Sequence, residues 1–152
     1  MKKRNQDSLF LVYCFYMQAS ALWSGRIALF VIYGWFGLLK MAGYSPAEGL
    51  VTDLFQALVQ WSGFTMNGFV ELFGAFEVVI GVAFLVCGPR TWVVRLFLAH
   101  MLTTALPLVV LPSVTWQAAF IPTLVGQYII KNIALLSLVK FMRMEEEVIP
   151  SA

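Results

Sequence analysis

Glu77, His100 and Lys131 each stand near the middle of a long apolar stretch. A carboxylate, an imidazole and an ammonium are the groups that accept, relay and donate protons. At bilayer depth an ionised group costs roughly 2.5–3.5 kcal/mol on insertion scales, so such groups face a bundle interior and find partners there. The pattern points to a membrane protein with a polar interior site.

The neighbours of these residues suggest how they would be held. Gly74, Glu77 and Gly81 share one helical face, and small residues beside Glu77 let another helix approach closely. Gln127 and Lys131 share a face with Asn132 beside them, His100 is followed by Thr103 and Thr104, and Arg26 precedes Tyr33 and the Gly34/Gly37 pair. At a rise of about 1.5 Å per residue, Glu77 lies about 14 Å and Lys131 about 15 Å into spans that run the same way. Equal depth predicts a Glu77–Lys131 ion pair, each group neutralising the other. Arg26, nearer the opposite face, is expected to share Glu77 or to extend towards headgroups. His100 reads as an interior histidine bonded to a threonine or a backbone carbonyl. One histidine per chain gives no bis-imidazole haem ligation.

Four apolar segments must position these groups, at about 21–39, 68–88, 91–111 and 121–142, each long enough to cross a bilayer. Gly88-Pro89-Arg90 makes the tight connection between the second and third, and Pro112 and Pro122 bracket a short loop before the fourth. The longest connection contains Ser45-Pro46-Ala47-Glu48, a helix-start signature with Ser45 as N-cap and Glu48 closing a capping box. Leu50, Val51, Leu54, Phe55, Leu58 and Val59 then recur on one face, opposite Thr52, Asp53, Gln56 and Gln60. This predicts an amphipathic helix at about 46–61, flat on the outer interface as a lid over the bundle or a gate.

Lys2, Lys3, Arg4, Arg90, Lys140 and Arg143 belong to one side of an even number of spans, and the other side has Lys40. The positive-inside rule therefore predicts cytoplasmic N- and C-termini. Cleavage of Met1 to Ala21 as a signal peptide would reverse the C-terminal charges to the outside, which disfavours it. Leu9 to Ser24 is expected to form an interfacial helix or an extension of the first span. Glu145-Glu146-Glu147 reads as a solvated helix end or a docking tail.

Composition agrees. The chain is 61% hydrophobic and 12% charged with mean hydropathy +0.83, where soluble domains carry about a quarter charged residues. A net charge of +2 with no basic stripe gives no reason to expect nucleic acid binding. Cys14 and Cys87, with no CxxC and no Cys/His cluster, suggest neither a disulfide framework nor a metal site. The expected fold is a single all-α integral membrane four-helix bundle.

Arg26 with Gly34 and Gly37-Leu38-Leu39-Lys40, Glu71-Leu72-Phe73-Gly74-Ala75-Phe76-Glu77-Val78-Val79-Ile80-Gly81, and Gly126-Gln127-Tyr128-Ile129-Ile130-Lys131-Asn132 together resemble the DoxX-like family of small four-span membrane proteins. The resemblance covers roughly Ala21 to Met142. It implies that Arg26, Glu77, Lys131 and Asn132 belong to a shared intramembrane polar cluster. It also implies a setting in redox systems, as with the quinone-linked small subunit of thiosulfate oxidoreductases, and a bacterial inner-membrane location.

The expected function is an accessory subunit, rather than a stand-alone enzyme, that interacts with quinone. Lys131, Asn132 and His100 would donate to quinone carbonyls, and Glu77 would serve as base in quinol oxidation. Expected partners are the bilayer, another membrane or membrane-associated protein, and further copies of the chain. The competing reading is a non-enzymatic scaffold or assembly subunit. A small-solute transporter is a third, weakened by the lack of an internal repeat. A cavity reaching the cluster from the lipid side, lined by Tyr33 or Phe76, would favour quinone; a filled interior would favour the scaffold.

Overall fold

The computed structural model describes residues 2–63 and 65–148, with side chains described at 17 and, apart from 18, 19 and 64, from 20 to 146. Within it α1 (Lys2–Met41) is one unbroken helix, so the segment Leu9 to Ser24 extends the first span rather than forming a separate element. The side chains of Lys2, Lys3, Arg4, Cys14 and Glu147 lie outside the described residues. Among the described residues four helical stretches are long and apolar enough to cross a membrane: Ser20–Met41, Met66–Cys87, Thr91–Val110 and Leu124–Glu146.

A Schellman closure ends α1. Gly43, at φ +73, donates to the Lys40 carbonyl at 3.2 Å, and Tyr44 donates to the Leu39 carbonyl at 2.9 Å. The amphipathic helix follows as α2 (Glu48–Leu58), extended by a 3-10 turn over Gln60–Ser62. It starts two residues later than the capping-box signature predicts. The Ser45 hydroxyl accepts from the nearby Ala47 N–H at 3.2 Å, which makes a local turn, and the helix begins only after it. Val51 and Phe55 are its buried residues, and the Phe55 ring lies 5.4 Å from that of Phe69 on the next helix.

That helix, α3 (Met66–Cys87), is N-capped by the Thr65 hydroxyl, which accepts from Gly68. It packs antiparallel on α1 along a glycine seam. A Cβ on Gly37 would land on the Gly74 carbonyl oxygen, and one on Gly74 would land on that of Gly37. Gly81 meets the α1 backbone at Gly34 and Phe30 in the same way.

The third span is interrupted. α4 (Thr91–Ala105) ends before Pro107, which has no N–H to continue the ladder, and a short α5 (Pro107–Val110) follows. Beyond it lie α6 (Pro112–Thr115) and a two-stranded hairpin, β1 (Trp116–Ala118) with β2 (Ile121–Pro122). Ile121 therefore does not open the fourth span. Thr123 does so as N-cap, accepting from Gly126 at 3.2 Å and donating to the Val114 carbonyl at 2.7 Å. The span then runs as α7 (Leu124–Lys131) and α8 (Ile133–Val148), broken at Asn132.

Leu29, Tyr33, Ile80, Phe84, Val93, Phe97 and Met142 form the centre of the core. Much apolar surface stays outside it, including Trp35, Val86 and Leu102. The fold is an all-α bundle apart from the hairpin.

Candidate functional site

Near the end of α1, Lys40 follows Gly37 by three residues, just as Glu77 follows Gly74. Helical side chains lean towards the N-terminus of their own helix. Because α1 and α3 are antiparallel, Lys40 and Glu77 lean towards each other across the seam. The Lys40 ammonium donates to Glu77 Oε2 at 2.6 Å. His100 from α4 meets the other carboxylate oxygen, with Nε2 3.0 Å from Oε1. Tyr33 closes the chain, its hydroxyl 3.4 Å from His100 Nδ1.

One arrangement of protons satisfies every contact. A Glu77 carboxylate facing Lys40 accepts from His100 Nε2–H, which leaves Nδ1 of a neutral ring to accept from the Tyr33 hydroxyl. Every group then has a partner of the right kind, and the cluster is neutral. The group is buried: Tyr33 and His100 are 3% exposed, Glu77 6% and Lys40 7%. The imidazole is held between rings, stacked on Phe73 at 5.0 Å and edge-on to Tyr33 at 5.2 Å.

The cluster forms one wall of a cavity of about 920 Å³. Tyr33, Lys40, Glu77 and His100 line it, with Leu50, Asp53 and Leu54 of α2 across from them. Thr103, Thr104 and Pro107 come from the interrupted third span, and Tyr128, Ile129 and Asn132 from the fourth. Both helix breaks, at Pro107 and at Asn132, border this space. Phe36, Pro46, Gly49, Leu124 and Tyr128 line it and are also exposed, so it reaches the surface among α1, the start of α2 and α7.

The five residues singled out from sequence separate. Glu77 and His100 meet, and Asn132 faces the same cavity. Lys131 does not pair with Glu77. It shares the exposed face of α7 with Leu124, Gln127 and Tyr128, and its ammonium lies 5.2 Å from the Tyr128 ring centroid. Equal depth was the wrong criterion, because α7 turns Gly126 and Asn132 inward and Lys131 outward.

Arg26 does not reach Glu77 either. It lies two turns below Tyr33 and leans away, over Gly88 and the Trp23 ring, to pair with Glu146 at 3.3 Å. Glu146 is thus tied to α1 rather than being part of a free acidic tail. Phe76 packs near His100 at 6.0 Å instead of lining the cavity.

Sequence reasoning missed Lys40; it named Tyr33 as a residue lining the cavity, as found, but not as a hydrogen-bonding partner of His100. Lys40 counted as a charge of the outer loop. The signal that finds it is the spacing Tyr33, Gly37, Lys40, which puts all three on the face that meets Gly74 and Glu77. Comparisons of the chain with protein-family models, with curated proteins and with solved structures find no match.

Proposed function

We propose that this chain is an integral membrane accessory subunit of a redox system, of the DoxX-like type, that binds a quinone headgroup in the cavity. The observation that carries the reading is a cavity of about 920 Å³ that reaches the surface among α1, the start of α2 and α7 and is lined by the Tyr33–His100–Glu77–Lys40 chain. A lipid-borne ligand would enter sideways and leave its tail between Phe36 and Tyr128. A scaffold needs no such space.

The donor set suits two carbonyl oxygens. Lys40 uses one of its three N–H groups on Glu77 and has two more, and the Asn132 amide faces the cavity from another helix. A bound quinone would supply two-electron, two-proton redox chemistry, with electrons exchanged with a redox partner protein. The chain's own part is to orient the headgroup and move protons. Glu77 is a base hydrogen-bonded to two donors, and the Tyr33 O–H, the His100 ring and the Glu77 carboxylate are aligned so that a proton reaching the Tyr33 oxygen displaces its own proton to Nδ1 and the Nε2 proton to Glu77.

Topology belongs to the same proposal. The connectors 42–47, 59–65 and 106–123 hold no charged residue, whereas Arg90, Arg95, Lys140 and Arg143 gather at the opposite end. The positive-inside rule then gives cytoplasmic termini and an outward-facing α2.

The test is equilibrium binding of a short-tailed benzoquinone to the detergent-solubilised protein. Saturable binding that weakens in Lys40→Met and in Asn132→Leu supports the reading. No saturable binding by the wild-type protein, with its fold intact by circular dichroism, removes it.

A further inference from the structure

The cavity lining offers more hydrogen-bond acceptors than a quinone can use. Thr103 and Thr104 line it from α4, and each hydroxyl has already given its proton to a carbonyl one turn back. Thr103 donates to His100 at 2.7 Å and Thr104 to Met101 at 3.0 Å. What either oxygen still offers is a lone pair. The Tyr33 hydroxyl, donating to His100, likewise keeps only an accepting side.

Asp53 adds a charge to this set. It is half-buried on α2 and lines the same space, and among the described residues no cation or hydrogen-bond donor meets it. An ionised carboxylate offers acceptors alone. Lys40 and Glu77 offset each other, so Asp53 is the uncompensated charge of the lining. Against these acceptors stand Lys40 and Asn132, with N–H groups to spare.

We propose that the cavity prefers the reduced ligand, a quinol, over the quinone, with Asp53, Thr103 and Thr104 accepting its hydroxyl protons. This rests on the reading of the cavity as a quinone site. A quinone has two carbonyl oxygens and no proton to donate, so it engages Lys40 and Asn132 and leaves the acceptors unmatched. A quinol has the same ring and the same two oxygens, each bearing an O–H besides. Its oxygens take the N–H groups, and its hydroxyls answer the acceptors. A hydrogen bond to a charged group is worth about tenfold or more in affinity. The preference therefore comes chiefly from Asp53.

The experiment measures binding of decyl-benzoquinone and of its quinol to the full chain in detergent, under anaerobic conditions. The expected result is a quinol dissociation constant about tenfold below that of the quinone. Asp53→Ala is expected to bring the two constants together by weakening the quinol, with little effect on the quinone. Thr103→Val with Thr104→Val, which keeps the side-chain shape, should act in the same direction and more weakly. A wild type that binds the quinone saturably, and as tightly as the quinol or more so, overturns the proposal and leaves the quinone site standing. A quinol preference unchanged in both variants overturns it as well, because the acceptors would then lie elsewhere. No saturable binding of either form by the folded chain removes the quinone site itself, and the proposal with it.

Discussion

Lys40 Nζ lies 2.6 Å from Glu77 Oε2 although Lys40 stands at the end of α1 and Glu77 at the middle of α3. The Gly37–Gly74 contact brings the backbones together, and the antiparallel lean of the side chains closes the remaining distance. The pair is buried, shared with His100, and set into a cavity wall.

Lys40 and Glu77 should therefore depend on each other. Removing one partner of a buried pair strands the other charge and costs about 3–5 kcal/mol, while replacing both with apolar groups comes close to neutral. Glu77→Leu and Lys40→Met should each lower folded yield in detergent, and the double variant should recover much of it. Lys131→Met should not rescue Glu77→Leu. Recovery with Lys131→Met instead would contradict the observed pairing.

Position along α3 separates its two acids. Glu71 is exposed near the start of the helix, whereas Glu77 accepts two hydrogen bonds inside. Glu77→Gln replaces one acceptor oxygen with a donor that faces Lys40 or His100, and should lower the thermal midpoint more than Glu71→Gln does. The comparison is made in monodisperse detergent preparations. Equal losses would contradict the burial of Glu77.

Two glycines should respond with opposite sign to the same methyl group. Gly37→Ala places Cβ against the Gly74 carbonyl and should destabilise the bundle by about 1–3 kcal/mol, the range of overpacked sites. Gly49→Ala, within α2 and with open space around it, should stabilise by about 0.5–1 kcal/mol through helix propensity. Denaturation in mixed micelles measures both.

Topology has a direct test. A reporter active only outside the cytoplasm should stay inactive when fused after Ala152, and the same reporter inserted after Gly63 should be active. The reverse pattern would overturn cytoplasmic termini.

Composition and apolar run length alone determined that this chain forms four long helices, because any stretch of about 20 such residues satisfies its backbone only as a helix in a membrane. The glycines at 34, 37, 74 and 81 and the ionisable groups at 77 and 100 were equally legible, since small or charged residues in apolar helices have few uses. Local turn chemistry was less so. Thr123 took the start of the fourth span from Ile121, and the Ser45 hydroxyl turned back to Ala47, because a short hydrogen bond outcompetes a motif. Who pairs with whom was decided only by the tertiary structure. Lys131 and Glu77 match in depth, yet the rotation of α7 about its own axis sends Lys131 outward, and the glycine seam delivers Lys40 in its place. Sequence periodicity fixes which residues share a face of one helix. Which face then meets which neighbour depends on the packing of all four.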